Sequence, residues 1–431
     1  MHRQIRSLGW RWAIPVLMAS PALAQTPDAA LQPPLVRWYE AAWARQPEAA
    51  SAALRDQAAQ ARGAAAQAWT PEPLAMDASI KTDRFNAREG GREVEVGVAI
   101  PLWLPGERAA SARLAAAERD ANQSRTLAAR LRTAGQVRDA WWQWQRVQAE
   151  AAAADDRLGS ARALAADVAR RMNAGDLSLA DRHQADGAVA AALAAVAEAG
   201  AGVVAARQSL VALAGLSPDT PPMPDAAIEA EPLPAASTPT VADATHPALS
   251  ELQRKADSAR RAADLLGVQQ RANPELTLAT TRDRGSRNEA SQQTVTLALR
   301  IPFGGGGRHE AKLAAAYAEA LEAETLLAGE SARVQSGIAT ARSRHSAALA
   351  QLQAADERLR LAQASRGFFQ KSFALGETDL PTRLRIEQEA VDAERQALRA
   401  RLELAASVSA LRQAMGWLPG ASSSAISDAA R

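Results

Sequence analysis

Glu93-Val-Glu-Val-Gly-Val-Ala-Ile-Pro101 and Thr294-Val-Thr-Leu-Ala-Leu-Arg-Ile-Pro302 decide how this chain folds. In the first, Val94, Val96, Val98 and Ile100 interleave with Glu93, Glu95, Gly97 and Ala99; in the second, Val295, Leu297, Leu299 and Ile301 interleave with Thr294, Thr296, Ala298 and Arg300. A period of two is a strand with one apolar face. A further alternating run precedes each, with Met76, Ala78 and Ile80 in the first case and Leu276 and Leu278 before Thr280 in the second. Strands are therefore expected at about 76–84, 92–100, 276–282 and 294–301. Two structures fit such segments. One is a transmembrane β-barrel, apolar toward lipid and polar toward a wet lumen; the other is a soluble antiparallel sheet with one solvated face. Four strands cannot close a channel, because the smallest closed barrels need about eight, and lipid does not tolerate an open edge. If these strands cross a membrane, several chains must share one barrel.

The two stretches are copies. A shift of 201 residues carries Ile100-Pro101 onto Ile301-Pro302, Gly175 onto Gly376 and Gly215 onto Gly416, and it also sets Pro73 against Pro274. At a shift of 200, Gln46-Pro47 faces His246-Pro247. The chain thus reads as a tandem duplication, with repeats at 35–216 and 246–417 and a Pro-rich linker at 217–245 where neither periodicity survives. Each repeat contains a first helix (about 35–69 and 247–271), two strands, a very long helix (106–172 and 308–373) and a return helix (178–213 and 379–415).

The long helices carry coiled-coil seams. Val334, Ile338, Ala341, His345, Ala348, Leu352, Ala355 and Leu359 step by four and three, and Leu158, Ala161, Ala165, Val168 and Met172 keep the same rhythm. At 1.5 Å per residue the long helices reach roughly 100 Å, and the others are each about half that. Two half-length helices stacked beside one of full length build a wall of uniform height, which no compact globule requires.

Composition agrees. Alanine dominates, aromatic residues make up only 4%, and cysteine is absent. There is no disulfide framework, no thiolate metal site and no cysteine for a lipid anchor. Arg3, Arg6 and Arg11 followed by an apolar run and Ala22-Leu23-Ala24 form an export signal at 1–24, with an uncleaved anchor as the alternative reading. No other stretch of about 18 apolar residues is evident in the sequence. Residues 25–34 and the tail 418–431 read as irregular. The formal charge is +2 and the signal holds three arginines and no acid, so the mature chain stands at 2 − 3 = −1. With basic and acidic residues interspersed, the pI of 9.3 is no argument for nucleic acid.

Duplicated strand–strand–long-helix–tip–helix units, with Pro101 and Pro302 ending the strands, resemble the TolC-like outer membrane factors. The tips Arg171-Met-Asn-Ala-Gly-Asp-Leu-Ser178 and Lys371-Ser-Phe-Ala-Leu-Gly-Glu-Thr-Asp379 look like that family's periplasmic turns, at about 172–178 and 373–379. Ile100-Pro-Leu-Trp-Leu-Pro-Gly-Glu-Arg108 and His246-Pro-Ala-Leu249 look most like its CzcC-type heavy-metal efflux branch. The resemblance implies a mainly α fold with a small β part: a homotrimer whose twelve strands form an outer-membrane barrel continued by a periplasmic helical tunnel. It further implies contact with outer-membrane lipid, a periplasmic adaptor at the tips and an inner-membrane pump of the resistance–nodulation–division class. It implies no enzymatic activity and no cofactor, and the sequence holds no Walker lysine motif and no metal-ligand spacing of His, Asp and Glu.

Gly175 and Gly376 are expected to turn the chain at the tips, with Ser178 and Asp379 capping the returning helices and Pro381 in the first turn. An ordinary hairpin turn would need the same residues. By resemblance Ala174, Asp176, Leu177, Leu375, Glu377 and Thr378 would meet the adaptor. Asp181 matches a position near the family's closed aperture, whereas Thr382 and Arg385 stand where well-known members carry aspartates. Asp181, Arg383 and Arg385 could pair between protomers and hold the tip shut, or could be solvated helix charges. Pro101, Gly106, Pro302 and Gly307 mark strand-to-helix joints; Gly304–Gly307 lacks the Lys-Ser/Thr ending of a phosphate loop. His183 and His345 lack a second ligand nearby, and Trp141, Trp142 and Trp144 read as helix packing near the tunnel's waist. The leading function is a passive duct for heavy-metal cations. A duct for drugs or protein secretion and a soluble periplasmic coiled-coil scaffold are the alternatives.

Overall fold

The computed structural model describes residues 33–85, 89–215, 230–234, 246–304 and 306–420. The expected signal, most of the linker and the end of the tail lie outside these. Proline opens the first repeat: helix α1 (Pro34–Ala44) and helix α2 (Pro47–Ala66) replace the single helix expected at 35–69. Pro47 has no N–H to continue α1, and it holds Gln46 extended at φ −69°, ψ 140°. Strands β1 (Ala75–Thr82) and β2 (Arg92–Pro101) follow, then the 68-residue α3 (Glu107–Ala174) and the return helix α4 (Leu179–Ala214). The second repeat runs through α5 (Pro247–Val268), β3 (Glu275–Arg284), β4 (Gln292–Arg300), the 69-residue α6 (Gly306–Ala374) and α7 (Leu380–Ala414).

The four strands form one antiparallel sheet in the order β1-β2-β3-β4. Both hairpins stay within a repeat, and β2 pairs with β3 to join the repeats. Register corrects the alignment of the copies. With Ile100 equivalent to Ile301, the hairpin pairs Ala75↔Ala99 and Glu275↔Arg300 make Ala75 equivalent to Glu275. Hence β1 and β3 differ by 200, like Pro47 and Pro247, and Pro73 is not the counterpart of Pro274. The odd residue falls in the second hairpin's loop.

Helix α3 packs against α2, α4 and α5, while α6 packs against α5 and α7, so α5 bridges the two long helices. The heptad seam is real: Val334, Ile338, Ala341, Ala348 and Ala355 are all buried. Helices α4 and α7, of 36 and 35 residues, are about half the long helices, as the wall requires. The largest core cluster sits where the repeats meet. Leu35, Tyr39 and Trp43 of α1 pack there with Val137, Trp141 and Trp142 of α3, Leu210 of α4 and Leu402 of α7. Trp141 and Trp142 are therefore packing residues, with Trp144 partly buried against the same cluster.

Linker residue Glu231 is inserted beside this core. Its Oε1 and Oε2 accept hydrogen bonds from Arg138 Nη2 (2.7 Å) and Nε (2.9 Å), and Oε1 accepts a third from Arg412 Nε at 3.1 Å. Arg138 also donates to the Trp417 carbonyl, and Arg412 to the Pro232 carbonyl. Because Arg138 lies on α3 and Arg412 on α7, one buried carboxylate ties the two repeats together.

Helix α4 contradicts the expectation that no further membrane-length apolar stretch exists. An 18-residue window of it has a mean hydropathy of 1.9, and only 6% of that window is buried within the chain. Glu198 splits the run, which Asp186 and Arg207 bound, so that it does not read as continuous apolar sequence.

Candidate functional site

The two tips are built alike. At the end of α3, Gly175 adopts φ 90°, Gly175 N–H reaches the Met172 carbonyl and Asp176 N–H the Arg171 carbonyl. At the end of α6, Gly376 (φ 76°) and Glu377 repeat both bonds onto Phe373 and Ser372. This pattern satisfies the last carbonyls of a helix and requires a left-handed residue, which glycine supplies without steric cost. Ser178 and Asp181 then form a reciprocal capping box at the start of α4, and Asp379 accepts from Thr382 N–H at 3.2 Å at the start of α7. The Ser178 hydrogen bonds hold the Asp181 carboxyl below the usual carboxylate range.

Ala174, Gly175, Asp176, Leu375, Gly376 and Glu377 are exposed, and Thr378 is half-buried with its Oγ1 2.6 Å from Ser372 Oγ. Leu177 instead packs against a small core of Val168, Ala185, Phe373 and Leu380. Sequence reading missed the residue that joins the tips. Arg171, in the last turn of α3, donates to the carbonyls of Phe373 (2.8 Å) and Ala374 (3.4 Å), and its guanidinium lies 4.7 Å from the Phe373 ring centroid. A cation placed on the carbonyl end of another helix is favoured by the helix dipole, but nothing in the spacing of Arg171 announces a partner 202 residues away.

Each aperture candidate has a partner within its own chain. Asp181 serves the capping box; Arg385 pairs with Glu389 at 2.6 Å; the buried Arg383 pairs with Glu387 at 3.3 Å and faces the Arg366 carbonyl. Arg366 also bonds Glu394 at 3.2 Å, and Arg157 of α3 reaches Gln388 of α7 at 2.6 Å. Of these, Arg157, Arg366, Arg383, Glu387 and Gln388 line a groove of about 570 Å³ between the two helical hairpins, where Arg157, Arg170, Arg171, Arg366 and Arg383 stand with Asp167 and Glu387. The groove is basic. His345 Nδ1 lies 3.0 Å from Ser407 Oγ and His183 is exposed; among the described residues no three His, Cys, Asp or Glu side chains are grouped to hold a metal.

At the far end, the strand-to-helix joint of the first repeat turns at Gly106 (φ 83°). The buried Glu107 locks it to the second repeat, accepting from Leu104 N–H, Gln269 Nε2 and Asn273 Nδ2. In the second repeat the joint differs from expectation: Gly304 (φ 85°) makes the turn after Pro302, and Gly307 lies in the first turn of α6. Beyond the joints, alternation sorts the sheet by charge. Asp77, Lys81, Glu93, Glu95, Glu275, Asp283 and Arg300 share one face by register, and Met76, Ile80, Val94, Val96, Val98, Leu276, Leu278, Leu297 and Leu299 share the other. Every residue of the edge strands β1 and β4 is exposed.

Three comparisons bear on this arrangement. None of the curated proteins matches the chain in sequence. Among solved structures, the outer membrane protein VceC from Vibrio cholerae superposes with a TM-score of 0.72 at 18% identity, over 89% of this chain and 96% of that one. CusC, described in terms of transmembrane channel formation, gives 0.74 at 16% identity over 96% and 100%. The CmeC outer membrane channel of Campylobacter jejuni gives 0.71 at 14% identity over 92% and 88%. These likenesses establish the fold as that of the TolC-like outer membrane channels. The sequence profile of outer membrane efflux proteins matches twice, at residues 38–216 and 239–417, one match to each repeat. The chain therefore belongs to the outer membrane efflux protein family.

Proposed function

We propose that this chain is one protomer of a trimeric duct, seated in the outer membrane by its sheet and reaching through the periplasm by its helices. One observation carries the reading: a sheet with one apolar face, one charged face and two fully exposed edges. Lipid tolerates such a sheet only when its edges are paired, and three copies of four strands make a closed barrel of ordinary size. The bare apolar face of α4 calls for the same neighbours. The exposed tip residues, from Ala174 to Asp176 and from Leu375 to Glu377, offer the docking end for a periplasmic adaptor and, through it, an inner-membrane pump of the resistance–nodulation–division class. The protein itself performs no chemistry.

The cargo we assign is heavy-metal cations. Five carboxylates against two cations stand on the face that would line the lumen, which favours passage of positive charge. The resemblance to the CzcC-type branch points the same way. Outer-membrane extracts resolved by size, with and without cross-linking, test the duct: a detergent-dependent trimer is expected, and a water-soluble monomer would leave the scaffold reading. Deleting the gene should sensitise cells to divalent zinc, cobalt or cadmium; sensitivity to dyes and antibiotics alone would reassign the duct to drugs.

A further inference from the structure

The apolar face of the sheet is not apolar to its end. Following β2 away from the helices, Ile100, Val98, Val96 and Val94 lead to Arg92, and on β3 Leu276, Leu278 and Thr280 lead to Arg282 and Arg284. Arg92 lies directly opposite Arg284, and Arg282 directly opposite Val94. Within the strands, every carboxylate is on the other face, so these three arginines meet no acid on their own. Among the described residues Arg92 and Arg282 form no ion pair, and both are exposed. Arg284 donates through Nη2 to the Gly90 carbonyl at 3.4 Å, while its Nε is enclosed without a partner. Of the adjoining loops' carboxylates, Asp83 accepts from Gly90 N–H at 2.9 Å and Glu289 lies over Gly285; among the described residues neither they nor Glu89 form an ion pair with these arginines.

Like charges set directly opposite on a sheet destabilise it. The arrangement makes sense once an anion lies between them. We propose that Arg92, Arg282 and Arg284 form a binding site for the phosphate groups of lipid headgroups at the outer rim of the membrane-crossing sheet. The inference rests on the duct reading, which puts the helices in the periplasm and the hairpin loops outside the cell. Height supports it. Eight residue steps of strand, from Ile100 to Arg92, span about 26 Å, or about 20 Å along the membrane normal at a tilt near 40°. That is close to the roughly 25 Å apolar band of such barrels, so the guanidinium groups reach the layer where acyl chains give way to headgroups. Guanidinium forks bind phosphate oxygens in pairs, which a lone ammonium does not. The occupant is a lipid rather than a free anion because the same face continues inward as Val94, Val96, Leu278 and Leu297, a surface for acyl chains. A molecule with phosphate at one end and hydrocarbon at the other matches both parts.

The test uses the full-length protein extracted from outer membranes in mild detergent, with bound lipid counted by native mass spectrometry and lipopolysaccharide as the probe. The wild type should retain the phosphorylated glycolipid. The R92Q/R282Q/R284Q variant should retain about tenfold less, corresponding to the loss of about 1.4 kcal/mol. Arg300→Gln, on the opposite face, should retain as much as the wild type. The single Arg282→Gln variant, at an exposed and unpaired position, should lose a measurable part even if the triple variant fails to assemble. A trimeric triple variant that holds the wild-type amount of lipid would overturn this site and leave the duct intact. Displacement of the lipid from the wild type by inorganic phosphate would overturn the lipid assignment. A wild type found as a soluble monomer removes the duct and the site together.

Discussion

Glu231 stands between Arg138 and Arg412 with all three side chains withdrawn from water; their side-chain exposures are 9%, 3% and 2%. Burial alone would raise its carboxyl pKa, but the hydrogen bonds and charge of Arg138, joined by Arg412, more than reverse this and hold it below the usual value. Removing the carboxylate takes the Glu231 counter-charge from two buried guanidinium groups, so Glu231→Gln should cost about 3–5 kcal/mol, read as a lower unfolding midpoint of the detergent-solubilised protein. The sign with pH follows from the depressed pKa. The stabilisation is fully present above the unfolded value of about 4.3 and is lost as pH falls through the lower folded value. The gap between wild type and Glu231→Gln should therefore be constant from pH 7 to 5 and close only under stronger acid. A gap that already shrinks at pH 6 would mean that another group carries it. Nothing in Ala230-Glu-Pro-Leu-Pro234 forecasts this role. Periodicity is silent in a proline-rich linker, and the partners lie 93 and 181 residues away.

At the level of elements, the tips separate two costs that a glycine can carry. A Cβ on Gly175 or Gly376 would meet no atom within 4 Å, so space is not the constraint; the positive φ is. Gly175→Ala and Gly376→Ala should each cost about 1–2 kcal/mol through the left-handed backbone alone, and Gly376→Asn should cost less, since asparagine tolerates that region. Gly159 and Gly187 are equally open but sit inside α3 and α4. There Gly→Ala should stabilise by about 0.4–1 kcal/mol. Thermal unfolding of the four alanine variants checks both signs, and a uniform effect would sink the argument. These tips were legible because a glycine, a capping residue and a helix start recur in both copies. The strands were legible through their period of two, and the long helices through their heptads. The break at Pro47 was not, although the proline was in plain view, because apolar periodicity continues across it. The second joint was misplaced by a similar limit: in Gly304–Gly307 any of four glycines could take positive φ, and composition does not say which.

For the whole molecule, the internal duplication forecasts how one protomer meets the next. The contact of β2 with β3 is a repeat-to-repeat contact, and in a closed trimer β4 of one protomer must meet β1 of its neighbour in the same way. Within the chain Ala99 faces Thr277. Carrying each residue to its equivalent, 201 positions on for β2 and 200 back for β3, sets Arg300 opposite the neighbour's Asp77 and Ala298 opposite the neighbour's Ser79. Both pairings keep the charged face on one side, which a slip of one residue would not, and the first opposes a cation with a carboxylate. Opposed strand residues have Cα atoms about 4.5–5.5 Å apart, within disulfide reach of about 4.4–6.8 Å. The chain has no cysteine, so Ser79→Cys/Ala298→Cys should give a clean oxidative ladder ending at a covalent trimer, reversed by reductant. Ser79→Cys/Thr294→Cys, displaced by four residues on the same face, should not cross-link. Cross-linking of the displaced pair in place of the first would refute the symmetry rule but keep the trimer. If neither pair links in outer-membrane preparations, the edges are closed by something other than a second copy.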